Sequence, residues 1–340
     1  MERMAKVGIK DIAAETGVSI ATVSHALRNP DRVSDETRRR VLAAAEKAGY
    51  TPNRLAASLR TARSGNIVVI IPDITDSLNG KIISGIEDVA RERGYSVLLG
   101  NTRGSVKRER EFAAMTLSRQ ADGIILMSHR VPFAASSRDL AAEELPPMVN
   151  GCEDCGIAGV PLIAVDDRKA AADATEHLLS LGHREIAVIT GDMESASSRN
   201  RLEGFRQAMA AAALPLNDSW IACGRYLPED GEKAARQLMM QKDRPTAIFC
   251  FSDEMALGCM HALKEQGFGV PDDVSVMGFD GIPFARYASP PLTTIAQPTE
   301  RIGAVCATTL LDMIEGKPPE TERNYLPHEL VVRESTSPID

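Results

Sequence analysis

From Ile67 onward, short apolar runs alternate with segments of amphipathic helix, and this alternation limits the possible folds more than any other feature of the chain. Strands that are buried on both faces read as continuous apolar runs, and such strands belong to parallel sheets covered by helices. A chain of 340 residues also exceeds one ordinary domain. The pattern therefore predicts a large α/β unit, with a smaller domain formed by the residues before Ile67.

Seven apolar runs are predicted to be strands, with six helices between them. The strands are 67–72, 95–100, 122–127, 161–166, 185–190, 246–251 and 273–279. The helices are 81–93, 106–119, 168–181, 200–212, 230–241 and 253–266. The proline pairs Pro146-Pro147 and Pro290-Pro291 are expected to mark places where the chain passes between two lobes. Two such sheets with a cleft between them bind a ligand at their strand ends.

Residues 1–50 carry the pattern of three short helices. These are Lys10–Thr16, Ile20–Leu27, and a third that opens at Ser34 and ends near Gly49. Gly17 breaks the first helix and Ser19 can cap the second, which is the spacing of a helix-turn-helix. The apolar stripe of the third helix is predicted to be Val41, Leu42 and Ala45.

The net charge of −8 conceals a division between the two parts of the chain. Residues 1–64 hold 12 Lys and Arg against 7 Asp and Glu, a net charge of +5, whereas residues 65–340 have a net charge of −13. Because DNA is a polyanion, the first segment would be attracted to it and the remainder repelled. The charge pattern therefore favours DNA binding by the N-terminal segment.

The second helix sorts its residues by face. Val23, Ala26 and Leu27 share one face and are predicted to be core, so the opposite face is exposed and can enter the major groove. Residues at its N-terminal end can reach base edges, and hydroxyl and amide side chains can bind phosphates. The predicted phosphate contacts are Ser19, Thr22, Ser24 and Asn29. A small helical bundle with a polar face is the alternative.

The cysteines and histidines form no recognisable metal or catalytic motif. Cys152 and Cys155 are the one CxxC, which we interpret as a coincidence in a loop, so no metal is predicted. His183 is expected to contact carbonyls at a helix end. No glycine-rich phosphate loop follows a predicted strand. We therefore expect neither a catalytic residue nor a cofactor, and the chain is predicted not to be an enzyme.

No apolar run approaches the roughly 20 residues of a membrane span, and the N-terminus is too charged for the core of a signal peptide. The expected location is cytosolic, with no membrane partner. A solute-binding protein of a transporter would share the predicted two-lobed fold but would be exported. An enzyme with a DNA-binding appendage is the other alternative.

The run from Ile9 to Arg60 resembles the headpiece and hinge of the LacI/GalR repressors, and the remainder resembles their periplasmic-binding-protein-like core. In the core, RLEGF (201–205), FSDEMALGCMHAL (251–263), VPDDVSVMGFDG (270–281) and PPLTTIAQP (290–298) stand in the family's order. The resemblance implies a small all-α helix-turn-helix headpiece followed by a two-lobed α/β core with two parallel, doubly wound sheets. It also implies a homodimer on pseudo-palindromic double-stranded operator DNA.

The resemblance assigns residues to DNA. Ile20 and Ala21 would read bases in the major groove, and His25 stands where the family has an arginine that can grip a guanine with two donors. Residues 53–60 are predicted to be capable of forming a helix, but one too short to be stable alone, and Leu59 would wedge into the minor groove, accompanied by Asn53 and Ala56. A leucine buried between headpiece and core is the alternative for Leu59.

The resemblance also assigns an effector site between the lobes. The predicted contacts are Asp73, Leu78, Asn79, Arg201, Tyr226, Ser252, Asp253 and Asp280. Arg201 and Asp280 would bind ligand hydroxyl or carbonyl groups, and Tyr226 would pack its ring against a sugar or base. Structural roles are the alternatives: an interlobe salt bridge for Arg201 and a cap for Asp253. A nucleoside is the favoured effector and a sugar the alternative.

The predicted organisation is a headpiece over 1–50, a hinge over 51–65 and a core over 66–340. Within the core, lobe 1 is predicted to contain 66–166 and 296–325, and lobe 2 to contain 167–292 and 326–335. Together these features predict a transcription regulator, most simply a repressor that the effector releases from its operator.

Overall fold

The computed structural model describes residues 7–28, 32–50, 63–133 and 145–339. The chain divides into two compact units, 1–64 and 65–340.

The first unit contains three helices whose ends follow from local chemistry. They are α1 (Ile9–Thr16), α2 (Ile20–Arg28) and α3 (Asp35–Lys47). Gly17, at φ +66°, ends α1 in the left-handed conformation that glycine adopts without strain. Ser19 Oγ accepts from Thr22 N at 3.1 Å and so satisfies a free donor at the start of α2. The predicted helix-turn-helix is therefore confirmed.

The core of the first unit is small and draws on all three helices. Its buried side chains are Ile12, Ala13, Val23, Ala26, Val41 and Ala44. Leu42 was expected in this core but is 41 % exposed. Val41 and Ala45 are buried as predicted, and Ala44 is buried in place of Leu42. The inward face of α3 thus follows the i, i+3, i+4 spacing from Val41.

The second unit contains two six-stranded sheets, and the first of them forms lobe 1. Its strands are β1 (Asn66–Ile71), β2 (Ser96–Asn101), β3 (Ile124–Leu126), β4 (Met148–Gly151), β5 (Leu162–Val165) and β11 (Arg323–Leu326). They run parallel in the order β11-β5-β4-β3-β1-β2. Lobe 1 also contains α4 (Ser77–Glu92), α5 (Val106–Leu117) and α10 (Thr299–Ile314). Val68 to Ile71 are fully buried, as a central strand covered on both faces requires.

The second sheet forms lobe 2. Its strands are β6 (Ile186–Thr190), β7 (Ile221–Cys223), β8 (Ala247–Cys250), β9 (Ser275–Asp280), β10 (Thr293–Ala296) and β12 (Glu329–Val331), in the order β12-β10-β9-β8-β6-β7. All are parallel except β12, which pairs antiparallel with β10. Lobe 2 also contains α6 (Asp167–Ser180), α7 (Ala196–Ala211), α8 (Pro228–Met239) and α9 (Asp253–Glu265). The predicted two-lobed α/β core is confirmed, with an antiparallel edge strand added.

The chain passes between the lobes at three places in the described residues: after β5, between β10 and α10, and between β11 and β12. Neither proline pair marks a crossing, contrary to the expectation. Pro146-Pro147 leads into β4 within lobe 1, and Pro290-Pro291 leads into β10 within lobe 2. Each pair precedes its strand, where a missing N–H costs the sheet no hydrogen bond.

His183 was expected to contact carbonyls at a helix end, and its backbone N–H does donate to the carbonyl of Leu178 at 3.2 Å, but its side chain makes no such contact with a described residue. It is buried, with Nδ1 3.0 Å from Thr246 Oγ1 and Nε2 3.0 Å from Ser275 Oγ. Burial lowers its pKa, so the neutral ring is favoured. The side chain that reaches the helix end is that of its neighbour Arg184, whose Nη1 donates to the carbonyl of Leu179 at 2.9 Å. Among the described residues, no helix has the length and apolar character to cross a membrane.

Candidate effector site and DNA-binding surface

The face of α2 predicted to contact DNA is open to solvent. Ile20 is 45 % exposed, unusual for a side chain of that size, and Ala21 is exposed beside it. Thr22, Ser24 and His25 are half-buried. The opposite face carries Val23 and Ala26, both buried as predicted.

Two of the predicted phosphate contacts are already partnered within the protein. Ser19 Oγ lies 2.8 Å from Thr22 Oγ1 and also caps α2, so a phosphate would meet a fixed pair of hydroxyls. Four of the predicted DNA contacts lie outside the described residues: Asn29, Asn53, Ala56 and Leu59.

A cavity of about 180 Å³ lies between the two lobes. It forms where strands of both sheets end, the position at which open parallel sheets bind ligands. Seven of the eight predicted effector contacts line it: Asp73, Leu78, Asn79, Arg201, Tyr226, Ser252 and Asp280. The remaining described lining residues include Asp76, Cys152, Glu153, Glu254, Arg225 and Gln297.

Asp253, the eighth predicted contact, does not line the cavity. It is fully buried, where its carboxylate accepts from Thr294 Oγ1 at 2.6 Å and from Ile282 N at 2.8 Å. Burial raises its pKa to about 7, and the hydrogen bond from Thr294 opposes that rise. Ser252 holds the capping role instead, since its Oγ accepts from Met255 N at 3.2 Å. Asp253 therefore joins β10 to the start of α9.

Arg201 is held on several sides. Its Nε donates to Asp167 Oδ1 at 2.7 Å and its Nη1 to the carbonyl of Phe251 at 2.5 Å. The guanidinium carbon lies 3.7 Å from the centre of the Phe279 ring, within cation–π range. Nη2 makes no hydrogen bond to any described residue. The group is thus oriented by the protein and keeps a donor for a ligand.

Asp280 ends β9 opposite this arginine. Its Oδ1 accepts from Gln297 Nε2 at 2.8 Å and lies 3.9 Å from Arg201 Nη1. Burial raises the pKa of the carboxyl well above its usual value, and the charge of Arg201 opposes that rise. Its φ of +119° is strained for a residue with a side chain, and such strain is typical of functional sites. The carboxyl oxygens of Asp280 can accept hydrogen bonds from ligand hydroxyls whether the group is ionised or protonated.

Tyr226 contributes a fixed aromatic wall. Its hydroxyl is hydrogen-bonded to Ser198 Oγ, and burial raises its pKa to about 12. A Cβ added at Gly191 would lie 2.0 Å from Tyr226 Cζ, so only glycine leaves room for the ring there. The ring is therefore placed by its surroundings before any ligand arrives.

The sequence analysis did not identify Glu153 as a site residue. Its Oε1 accepts from Ser195 Oγ at 2.5 Å across the cleft, whereas Oε2 is buried with no hydrogen-bond partner among the described residues. Burial raises its pKa. The signal that could have found it is its position two residues after β4, a strand that the sequence analysis did not predict.

The lobe 1 loop after β1 is ordered by its own polar groups. Asp73 Oδ1 accepts from Thr75 N at 2.9 Å, and Asn79 Nδ2 donates to the carbonyl of Asp73 at 2.9 Å. Ser77 N donates to Glu254 Oε1 at 3.1 Å, which joins lobe 1 to lobe 2. Asp73 and Asn79 therefore shape the cavity wall, and their remaining oxygens are what a ligand would meet.

The CxxC cysteines are separate thiols. Cys155 Sγ lies 3.0 Å from Asn150 Oδ1, and Cys152 lines the cavity. Burial raises the pKa of both thiols, which favours the protonated form over the thiolate that metal binding requires.

Comparison with known proteins supports both units. Residues 8–53 match the family described as bacterial regulatory proteins, lacI family, and residues 175–336 match the periplasmic binding protein-like domain. The repressor CytR of Escherichia coli K12 is 40 % identical over 328 residues, covering 96 % of each chain. The regulator DegA of Bacillus subtilis 168 is 37 % identical over 338 residues, covering 98 % of this chain and 99 % of its own.

Solved structures of similar proteins contain both units. The lac repressor dimer bound to operator and the anti-inducer ONPF has a TM-score of 0.84 at 27 % identity, covering 98 % of this chain and all of its own (100 %). The complex of the regulator CelR with cellobiose has a TM-score of 0.74 at 29 % identity, covering 97 % and 99 %. The chain therefore belongs to the lacI family of bacterial regulatory proteins and is a DNA-binding transcriptional regulator.

Proposed function

We propose that a nucleoside is the effector and that its binding in the interlobe cavity releases the dimer from its operator. The observation that carries this proposal is that Arg201, Asp280 and Tyr226 line the same cavity, with Arg201 Nη1 3.9 Å from Asp280 Oδ1. Asp280 can accept two hydroxyls of a ribose, Arg201 Nη2 can donate to a ring carbonyl, and Tyr226 offers a face to a base or sugar.

The charges of the lining favour an uncharged ligand. Five described carboxylates line the cavity, from Asp73, Asp76, Glu153, Glu254 and Asp280, against two guanidinium groups. The guanidinium of Arg201 is already neutralised by Asp167, and Arg225 is largely exposed. Burial raises the pKa of Asp76, Glu153 and Asp280, so the lining itself favours uncharged forms, and a phosphate would be desolvated there without an unpaired cation to balance it. The nucleoside itself is therefore favoured over its nucleotide.

A sugar effector is the second candidate. Carboxylates and an aromatic wall also bind sugars, and the similar regulator CelR was solved with cellobiose. The buried Oε2 of Glu153 suits either candidate, because it can accept from an amino or ring N–H group of a base or from a sugar hydroxyl. The nucleoside is favoured because the sequence resembles the cytidine repressor, in agreement with the 40 % identity to CytR.

Isothermal titration of the full chain with cytidine, adenosine, ribose and cellobiose tests this proposal, with cytidine monophosphate as the charge control. We expect a nucleoside to bind at least tenfold more tightly than its monophosphate or ribose, and to weaken operator binding measured in parallel. Binding of sugars alone would contradict the nucleoside and leave the regulator class intact.

We propose further that the ligand leaves the site chemically unchanged, so that the protein is not an enzyme. A bound ligand recovered intact after long incubation supports this, and any product would refute it. The division into headpiece (1–50), hinge (51–65) and core (66–340) is part of the same proposal. The headpiece also opposes the alternative of a solute-binding protein, which would have no use for a basic helix-turn-helix.

We propose that Ile20, Ala21 and His25 read bases, because this face of α2 is accessible to solvent. For the same reason we propose that the hydroxyls of Ser19 and Thr22 bind phosphates. These assignments would be tested together by operator binding of single alanine variants.

A further inference from the structure

A second group of chemically reactive side chains lies between the lobes, separate from the effector cavity. His129 follows β3 in lobe 1, and Asp192 and Glu194 follow β6 in lobe 2. A ring nitrogen of His129 and one carboxylate oxygen from each acid all lie within 4.8 Å of one another. None of the three belongs to the described lining of the effector cavity.

His129 has an unmet hydrogen-bonding need. Its Nε2 is buried and has no partner among the described residues, although buried polar atoms are almost always paired. The acids are only partly engaged: Asp192 Oδ1 accepts from Glu194 N at 2.9 Å, and Glu194 is exposed. Arg199, the nearby cation on α7, donates to the carbonyls of Met193 and Glu194. One imidazole nitrogen and two carboxylate oxygens thus lie close together, with hydrogen-bonding capacity that the described residues do not fully use.

This donor set suits a divalent transition metal. Imidazole nitrogen and carboxylate oxygen both bind zinc at about 2.0–2.2 Å, so two ligands of one ion lie about 3–4 Å apart. The limit of 4.8 Å on the separations here is longer than that range, so the three side chains would move closer together on binding an ion. Calcium and magnesium prefer oxygen ligands throughout, and the histidine therefore disfavours them.

We propose that His129, Asp192 and Glu194 bind one divalent transition-metal ion that bridges the two lobes. Because its ligands come from both lobes, the ion binds the arrangement in which the two loops meet and stabilises that arrangement. Metal binding and effector binding in the same cleft are consequently coupled, each changing the affinity of the other by the same factor. The metal site itself is independent of which effector the cavity accepts.

Titration of the chelator-treated full chain with zinc chloride, followed by calorimetry, tests the site. We expect one zinc ion per chain, and at least a tenfold loss of affinity in His129→Ala, Asp192→Asn and Glu194→Gln. The matched control is His261→Ala. His261 is exposed on α9 with Nε2 3.5 Å from Glu265, so it offers one imidazole and one carboxylate but lies in a single lobe. Its substitution should change zinc affinity by less than about twofold.

Glu194→Gln keeps the test valid if the half-buried His129 is needed for folding, because Glu194 is exposed. Circular dichroism in the presence of chelator checks the fold of each variant. No zinc binding, or wild-type affinity in any folded variant of the three, overturns the site. Bridging is tested by hydrogen exchange: zinc should slow exchange in both loops, 127–130 and 191–195, and protection confined to one of them overturns the bridge.

Discussion

Arg201 is the residue on which both the stability and the ligand site of lobe 2 depend. It is buried with Asp167, and burial raises the pKa of that carboxyl while the charge of Arg201 opposes the rise. Arg201→Met would leave Asp167 without its cation, so we expect a loss of about 3–5 kcal/mol in the free energy of unfolding. Urea denaturation measures this. Arg206→Met, at an exposed position of the same helix, should stay within about 0.5 kcal/mol of wild type.

Asp253 predicts a pH dependence of stability. Its pKa is about 7 in the folded chain against 3.8 for the free side chain, so the fold favours the protonated form. Its contribution is fully present below about pH 4 and is lost as the pH rises through 7. In Asp253→Asn the amide oxygen can still accept from Ile282 N, and the amide nitrogen can donate to Thr294 Oγ1, which reverses that bond and removes the charge. We therefore expect the stability of the variant relative to wild type to rise between about pH 4 and pH 7 and to level off above pH 7.

Thermal or urea unfolding at a series of pH values measures the Asp253 effect. Other buried carboxyls remain in both proteins, so the difference between the two profiles isolates this residue. Asp272→Asn, an exposed change in the loop before β9, serves as the control and should follow the wild-type profile. A constant difference across the range would show that Asp253 is not the titrating group.

At single residues, the resemblance to the family assigned Ser252 and Asp280 to the effector site, and both line the cavity. Asp253 was misplaced because it begins α9, and the sequence alone does not say that the side chain at this position turns toward β10 and not toward the cleft. Glu153 was missed because the four-residue strand before it, MVNG, contains asparagine and glycine, which are poor strand residues.

The packing of α4 against α10 joins distant parts of lobe 1, and two glycines allow it. A Cβ at Gly85 would lie 2.1 Å from the carbonyl oxygen of Glu300, and one at Gly303 would lie 2.0 Å from that of Ile82. Both obstacles are backbone atoms that cannot move aside. Gly85→Ala should therefore lower the free energy of unfolding by about 1–3 kcal/mol, measured by urea denaturation.

Gly80→Ala is the matched control for the helix packing. Gly80 lies on the same helix, and a Cβ there would meet nothing within 4 Å. Alanine is the better helix former by about 1 kcal/mol, so this variant should be slightly more stable than wild type. Equal effects of the two substitutions would contradict the close approach.

Helix α2 carries a prediction about base preference. His25 is half-buried on this helix, where the family has an arginine that can bond a guanine with two donors. His25→Arg should favour operators with guanine at one base pair by about 1–3 kcal/mol, measured by fluorescence anisotropy over a panel of substituted operators. His261→Arg adds the same charge on α9 and should leave the preference unchanged. A uniform gain over the whole panel would indicate a phosphate contact instead.

The strands that the sequence predicted stand in continuous apolar runs, whatever their length: β3, β5 and β8 have only three or four residues each. The strands that it missed, β4, β7, β10, β11 and β12, are equally short, and polar residues interrupt the apolar run in β4 and β10. The edge strands β7, β11 and β12 are also partly exposed, which removes the continuous apolar run. The long helix α10 was missed for a different reason: no predicted strand followed it, so the alternation of strand and helix did not point to it.

At the scale of the whole molecule, the division of charge separates the two tasks of the chain. The described lining of the effector cavity lies between Pro72 and Gln297, whereas the excess positive charge lies in residues 1–64. Removing residues 1–64 leaves a net charge of −13. The truncated chain should therefore lose specific operator binding and also the weak, salt-dependent binding to any DNA. Its ligand affinity should stay within about twofold of the full chain.

Anisotropy with operator DNA at two salt concentrations, together with calorimetry of the ligand, measures both halves of this prediction. Salt matters because each phosphate contact releases counterions, so the full chain should bind DNA more weakly at high salt. The acidic core has no such attraction, and its lack of binding should persist at low salt. Operator binding by the truncated chain would place DNA recognition in the core. Loss of ligand binding from a folded truncated chain would mean that the effector site needs residues outside the core.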